Sequence, residues 1–120
     1  MPVQTQYASL AAWQDERHVE DNRAQYQAKF DAVLDILDGV MDVQRPDAGF
    51  YLWPRSPLDD QTFTKRLLAE QNVAVVPGSF LSREIDGYNP GAGRVRMALV
   101  ASLEDCIEAA QRIRAFIGSL

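Results

Sequence analysis

Arg94 and Arg96 stand two residues apart in the stretch NPGAGRVRMALV, Asn89–Val100, whose alternation otherwise reads as a β-strand. Successive strand residues face opposite ways, so Val95, Met97 and Leu99 share one apolar face. Arg94, Arg96, Ala98 and Val100 share the other. An arginine fork holds a carboxylate through two parallel charge-assisted hydrogen bonds, a geometry that lysine does not reproduce. On spacing alone two readings stay open. One is a rigid clamp for an anion, set directly after a Gly/Pro loop. The other is a pair of arginines that solvate an exposed sheet face or meet surface carboxylates.

The remaining candidates are weaker. His18 lies in DERHVED among Asp15, Glu16, Glu20 and Asp21. His and carboxylates do ligate divalent metals, but helical neighbours diverge and there is no second His, so this reads as a solvated charged turn. Cys106 falls on an apolar helical stripe and reads as a small core residue, with no base beside it to activate a thiolate. The glycines of NPGAG precede a strand and lack the Lys-Ser/Thr of a phosphate-binding loop. Ser79, in VVPGSF, begins a long loop just after a buried strand and reads as a turn serine more readily than as a ligand contact. Trp13 and Trp53 read as core or interface packing. No paired acid and base, triad or metal set emerges, so no catalytic residue and no metal site is assigned.

The elements that must position these residues belong to a chain of 120 residues and 13.4 kDa, enough for one core. Its 47% hydrophobic and 24% charged content is that of a globular protein. The net charge of −5 argues against a nucleic-acid surface, which needs a basic patch. No window offers the roughly 20 apolar residues of a membrane span, and the first residues lack the basic start and apolar run of a secretory signal. A single cysteine fits a reducing compartment, most simply the cytoplasm.

Tyr26, Phe30, Val33, Leu34, Leu37 and Met41 recur at helical spacing and predict a helix that Gly39 weakens and Pro46 closes. Tyr7, Leu10, Ala11 and Val19 extend that stripe upstream, and the charge between Asp15 and Asp21 suggests a break or exposed bend. FYLWP predicts a short strand, ended by Pro54 and Pro57. Asp59 or Asp60 caps the next helix, Phe63, Leu67 and Leu68 form its buried side, and Asn72 is a left-handed stop. VAVV predicts a buried strand cut off by Pro77 and Gly78. A Gly/Pro/Asn-rich loop, Ser79–Gly93, is of a length that is often functional. After the arginine strand, Ser102 with Asp105 resembles a capping box. Leu103, Cys106, Ile107, Ala110, Ile113 and Ile117 then line a last helix. The order helix, strand, helix, strand, loop, strand, helix predicts an α/β fold, an α+β sandwich with about three strands packed on helices. A long first helix with no strand before it suggests that the chain continues upstream.

Read together, AAWQDERHVEDNRAQYQAKFD, AGFYLWPR, LLAEQNVAVVPGSFLSRE and NPGAGRVRMALVASLEDCIEAAQRI resemble the C-terminal part of class I/II aminotransferases of fold type I. The likeness covers nearly the whole chain, and GFYLW, VVPGS and VRMALV are its most specific blocks. Softer likeness in DERHV and NPGAG is to the subfamily acting on succinyldiaminopimelate.

The resemblance implies that residues 1–22 are the end of an interdomain helix and residues 23–120 the small domain, joined to a large domain of the same enzyme. It implies that Arg96, in Val95-Arg96-Met97-Ala98, grips the α-carboxylate of an amino-acid or keto-acid substrate, with Arg94 a solvated neighbour. It further implies pyridoxal phosphate and a homodimer for the complete enzyme. Its cofactor lysine lies in a motif that neither Lys29 nor Lys65 matches, so this chain is expected to bind no cofactor and to be inactive alone. Against that stand a free-standing, non-catalytic carboxylate-binding or dimerisation module, and the small domain of an aspartate or aromatic aminotransferase.

Overall fold

The structure is a computed structural model that describes residues 1–120. Its elements are α1 (Val3–Gln14), α2 (Arg17–Leu37), β1 (Tyr51–Leu52), α3 (Asp60–Gln71), β2 (Val76–Pro77), a 3-10 turn (Gly78–Phe80), β3 (Val95–Ala98) and α4 (Leu103–Gly118). The α+β class and the order of elements are those expected from the sequence.

The break expected in the charged stretch Asp15–Asp21 falls at Asp15 and Glu16, between α1 and α2. Asp15 leaves helical geometry at φ −97°, ψ 102°, and its Oδ1 accepts a hydrogen bond from the Arg17 amide at 3.1 Å. A short acidic side chain that bonds its own neighbourhood offers the backbone an alternative to continuing the helix. Downstream, Phe30, Val33, Leu37 and Met41 are buried and Tyr26 and Leu34 pack beside them. The upstream extension of the stripe does not pack: Tyr7 is 70% and Leu10 52% exposed, and α1 buries no residue.

The sheet has the order β1-β3-β2, antiparallel throughout. Tyr51 pairs with Ala98 and Leu52 with Met97, while on the other side Val76 pairs with Arg96 and Pro77 with Val95. VAVV is therefore not a buried strand. Only Val76 pairs, Val73 and Val75 are half-buried, and Pro77 takes part in the pairing instead of ending it. An edge strand tolerates proline because one side of its backbone needs no ladder partner.

Local chemistry sets the helix boundaries. The Asp59 carboxylate accepts from the Thr62 amide at 3.1 Å and caps α3, and Asn72 ends that helix at φ 55°. Ser102 Oγ accepts from the Asp105 amide at 3.2 Å and caps α4. The core joins Phe30, Val33 and Leu37 of α2 to Phe63 and Leu67 of α3. It continues through Val95 and Met97 of β3, with Leu99 just beyond it, and through Cys106, Ala110, Ile113 and Phe116 of α4. Each large side chain so buried contributes about 1.5–3 kcal/mol. Leu68, expected inside, is 51% exposed, since Phe63 and Leu67 already fill the face that α3 turns to α4. Leu103 is 40% exposed because it opens α4 at the solvent edge.

Candidate carboxylate-binding site

β3 is the central strand, and its burial alternates as the sequence alternates. Val95, Met97 and Leu99 are buried against the helices, whereas Arg96 is half-buried and Ala98 and Val100 are exposed on the other face. The register runs on from Leu52–Met97 to the Arg55–Arg94 bridge, which sets Trp53 directly across from Arg96. Directly opposed residues of an antiparallel pair share a face. The helix-free face thus carries Tyr51 and Trp53 from β1 and its extension, and Arg94 and Arg96 from β3 and its approach.

The two arginines have different surroundings. Arg94 Nη1 donates to the Trp53 carbonyl at 2.9 Å, which ties it to the neighbouring chain. Arg96 makes no such bond. Its guanidinium carbon lies 4.6 Å from the centroid of the Tyr51 ring, a cation–π stack that orients the plane of the fork while leaving its N–H edges free. The ion pairs of the molecule all lie elsewhere. Tyr51, Trp53 and Arg94, though not Arg96, line a cavity of about 420 Å³ that Asp42, Arg45 and Asp47 also line. The arrangement suits recognition of a carboxylate beside aromatic surface.

Behind this face stands a cluster that sequence reasoning missed. Asp60 was a candidate helix cap, but Asp59 does the capping. Asp60 is 2% exposed and its carboxylate takes three hydrogen bonds: from the Ser79 hydroxyl at 2.6 Å, the Ser79 amide at 2.9 Å and the Gly93 amide at 3.2 Å. Burial pushes its pKa up. The Ser79 and Gly93 donors outweigh that and hold the carboxyl below the usual carboxylate range. The contribution of these bonds to stability is present above about pH 4 and is lost as the pH falls through the lowered native pKa. Ser79 is therefore more than a turn serine, although its partner is internal. Next to it, Gly78 and Gly91 touch backbone to backbone, and a Cβ on Gly78 would sit 2.7 Å from the Arg94 carbonyl oxygen. The Gly91 amide donates to Ser82 Oγ and Asn89 Oδ1, both at 3.0 Å.

The other sequence candidates lie apart from Arg96. His18 Nδ1 meets Asp15 Oδ2 at 2.8 Å, both side chains being exposed, and no three His, Cys, Asp or Glu side chains gather as metal donors. Cys106 is buried, and desolvation with the nearby Asp105 raises its thiol pKa against the opposing pull of Lys29. It is a core thiol, as its stripe implied. Trp13, at 81% exposure, is not a core residue here, and Trp53 is 39% exposed on the sheet face. No helix is long and apolar enough to cross a membrane.

The profile of the family "Aminotransferase class I and II" matches residues 1–113, and the chain belongs to that family. It is 32% identical over 115 residues to an aspartate aminotransferase of Pyrococcus abyssi, covering 90% of this chain and 28% of that protein. Among solved structures, an aminotransferase from Neisseria meningitidis superposes with a TM-score of 0.93 at 47% identity, covering 97% of this chain and 30% of that one. A Thermus thermophilus structure named "probable N-succinyldiaminopimelate aminotransferase" superposes with a TM-score of 0.62 at 39% identity, covering 76% of this chain and 23% of that one. The chain therefore spans under a third of the length of the relatives it matches.

Proposed function

We propose that this chain is the small, substrate-closing domain of a pyridoxal-phosphate-dependent aminotransferase, and that Arg96 binds the α-carboxylate of its substrate. The observation that carries this reading is the free fork of Arg96: half-buried, stacked on Tyr51, on the central strand, and without an internal carboxylate. Leaving a planar cation unpaired on a rigid strand is useful when an external carboxylate completes it. In this reading residues 1–22 connect to a large domain of the same protein and residues 23–120 are the closing unit, within a cytoplasmic homodimer.

The residues present do not fit pyridoxal phosphate itself. Lys29 is buried on α2 with its Nζ 4.7 Å from the Tyr26 ring centroid, and Lys65 is exposed on α3. Neither borders the cavity beside Tyr51 and Trp53. Cofactor chemistry is thus assigned to the remainder of the protein, and this domain contributes binding, orientation and exclusion of water. Orienting one end of a substrate rigidly is worth up to several kcal/mol of barrier, and domain closure supplies the dry surroundings.

For the substrate we propose succinyldiaminopimelate with 2-oxoglutarate as the partner acceptor. Its support is the name and 39% identity of the Thermus protein. The competitor is aspartate, supported by the name of the Pyrococcus relative. The test is steady-state kinetics of the complete protein with both amino donors, for wild type, Arg96→Ala and Arg96→Lys. Removing one partner of a desolvated ion pair costs about 2–5 kcal/mol, so kcat/KM should fall at least about thirtyfold in Arg96→Ala. Lysine should restore only part of it, because it lacks the fork. Unchanged kcat/KM in Arg96→Ala would sink the assignment.

A further inference from the structure

Asp60 is an odd residue to find buried. It is the first residue of α3, where an acidic side chain suits the helix N-terminus in water, but here it is buried and Asp59 already performs the cap. It has no cationic partner among the ion pairs, and taking a carboxylate out of water is costly unless donors replace the lost hydration. Those donors are supplied from far along the chain. Oδ2 takes both the amide and the hydroxyl of Ser79, and Oδ1 takes the amide of Gly93. Ser79 and Gly93 are the two ends of the long loop that leads into β3. One carboxylate therefore closes that loop at its base.

The consequence runs directly to Arg96. The Gly78 amide donates to the Arg94 carbonyl at 2.7 Å, the Ser56 amide to the Gly93 carbonyl at 2.9 Å, and the Val95 amide to the Pro54 carbonyl at 3.1 Å. Each bond depends on where Gly93 sits, and Arg96 follows three residues later, roughly 10 Å along an extended chain. We propose that Asp60 is a positioning residue for Arg96. Its carboxylate holds both ends of the Ser79–Gly93 loop and so fixes the entry of β3 and the aim of the guanidinium. The inference rests on the reading of Arg96 as the substrate's carboxylate clamp.

The test is a double-mutant cycle in the complete protein, with Asp60→Asn, Arg96→Ala and the pair. Asparagine keeps the shape and one acceptor oxygen but turns an NH₂ group toward donors. Weakening these charge-assisted bonds should raise KM for the amino-acid substrate about tenfold in Asp60→Asn while kcat changes less. In the Arg96→Ala background the same substitution should add almost nothing, since the group being aimed is gone. A merely structural Asp60 would lower activity by the same factor in both backgrounds, and that result overturns the inference. An unchanged KM in Asp60→Asn overturns it as well. If Arg96→Ala alone is silent, the clamp reading fails first, which separates the two failures. Ser79→Ala removes one donor and keeps the test alive if Asp60→Asn does not fold: a smaller KM rise, again absent in the Arg96→Ala background, supports the inference, and no rise or an additive one overturns it.

Discussion

At the scale of single residues, the free fork of Arg96 depends on what stands behind it. Most surface arginines wander among rotamers, but the Tyr51 ring under this guanidinium restricts the fork to one plane without consuming its N–H groups. A partly exposed cation–π contact is worth about 0.5–1 kcal/mol. Tyr51→Ala should accordingly raise KM for the α-carboxylate substrate about two- to fivefold, whereas Tyr51→Phe, which keeps the ring, should be neutral. Kinetics with a matched amine lacking the α-carboxylate provides the control, because it has nothing for Arg96 to hold. If Tyr51→Ala slows both substrates equally, the ring is packing and does not orient the arginine. The Arg94 hydrogen bond to Trp53 explains why two arginines of the same type and on the same face are not interchangeable. One is spent on holding β1 to β3, and the other stacks on Tyr51 with no protein hydrogen bond.

At the scale of elements, the features legible in the sequence were those decided within a few residues. A cap at Asp59 or Asp60, the Asn72 stop, the Ser102 cap and the alternation of Val95, Arg96 and Met97 all follow from local hydrogen bonding or from the period of a strand. What escaped was decided by distant partners. Phe116, three residues after Ile113 on the same helical stripe, is fully buried with its ring 5.6 Å from that of Phe63, a partner that only the packing of α3 on α4 supplies. The same holds for Asp60, whose donors lie across the loop, and for the weak pairing of Val73–Val75. Arg112 and Arg114 belong here too: they donate to the Gln71 and Ile36 carbonyls, satisfying the ends of α3 and α2 from the side of α4. The loop's own packing makes a sharp prediction. Gly78 has no left-handed backbone to defend, yet a Cβ there meets the Gly91 and Arg94 carbonyl oxygens, which are backbone and cannot swing aside. Gly78→Ala should therefore cost about 1–3 kcal/mol of stability, seen as a lowered denaturant midpoint at constant m-value. A midpoint equal to wild type would mean that the loop relaxes freely and is no rigid base for β3.

At the scale of the whole molecule, the radius of gyration of 17.5 Å exceeds the roughly 13.6 Å of a compact chain of this length, and the long axis reaches 54 Å. The excess is carried by α1, which buries none of its residues and shows Val3, Tyr7 and Leu10 along one side, with Trp13 beside them. Four large apolar side chains on one exposed helix form a surface that water does not stabilise, and in the proposed enzyme the large domain would cover it. Two measurements on opposite objects test this. In the 120-residue chain, deleting residues 1–14 should leave the unfolding free energy within about 0.5 kcal/mol of the parent, because no core contact is lost. In the complete protein, Leu10→Asp should destabilise by about 2 kcal/mol or more, the cost of placing a charge in an apolar contact. A Leu10→Asp variant as stable as the parent in the complete protein would show that α1 stays in water there too, and residues 1–22 would lose their place as the bridge to a large domain.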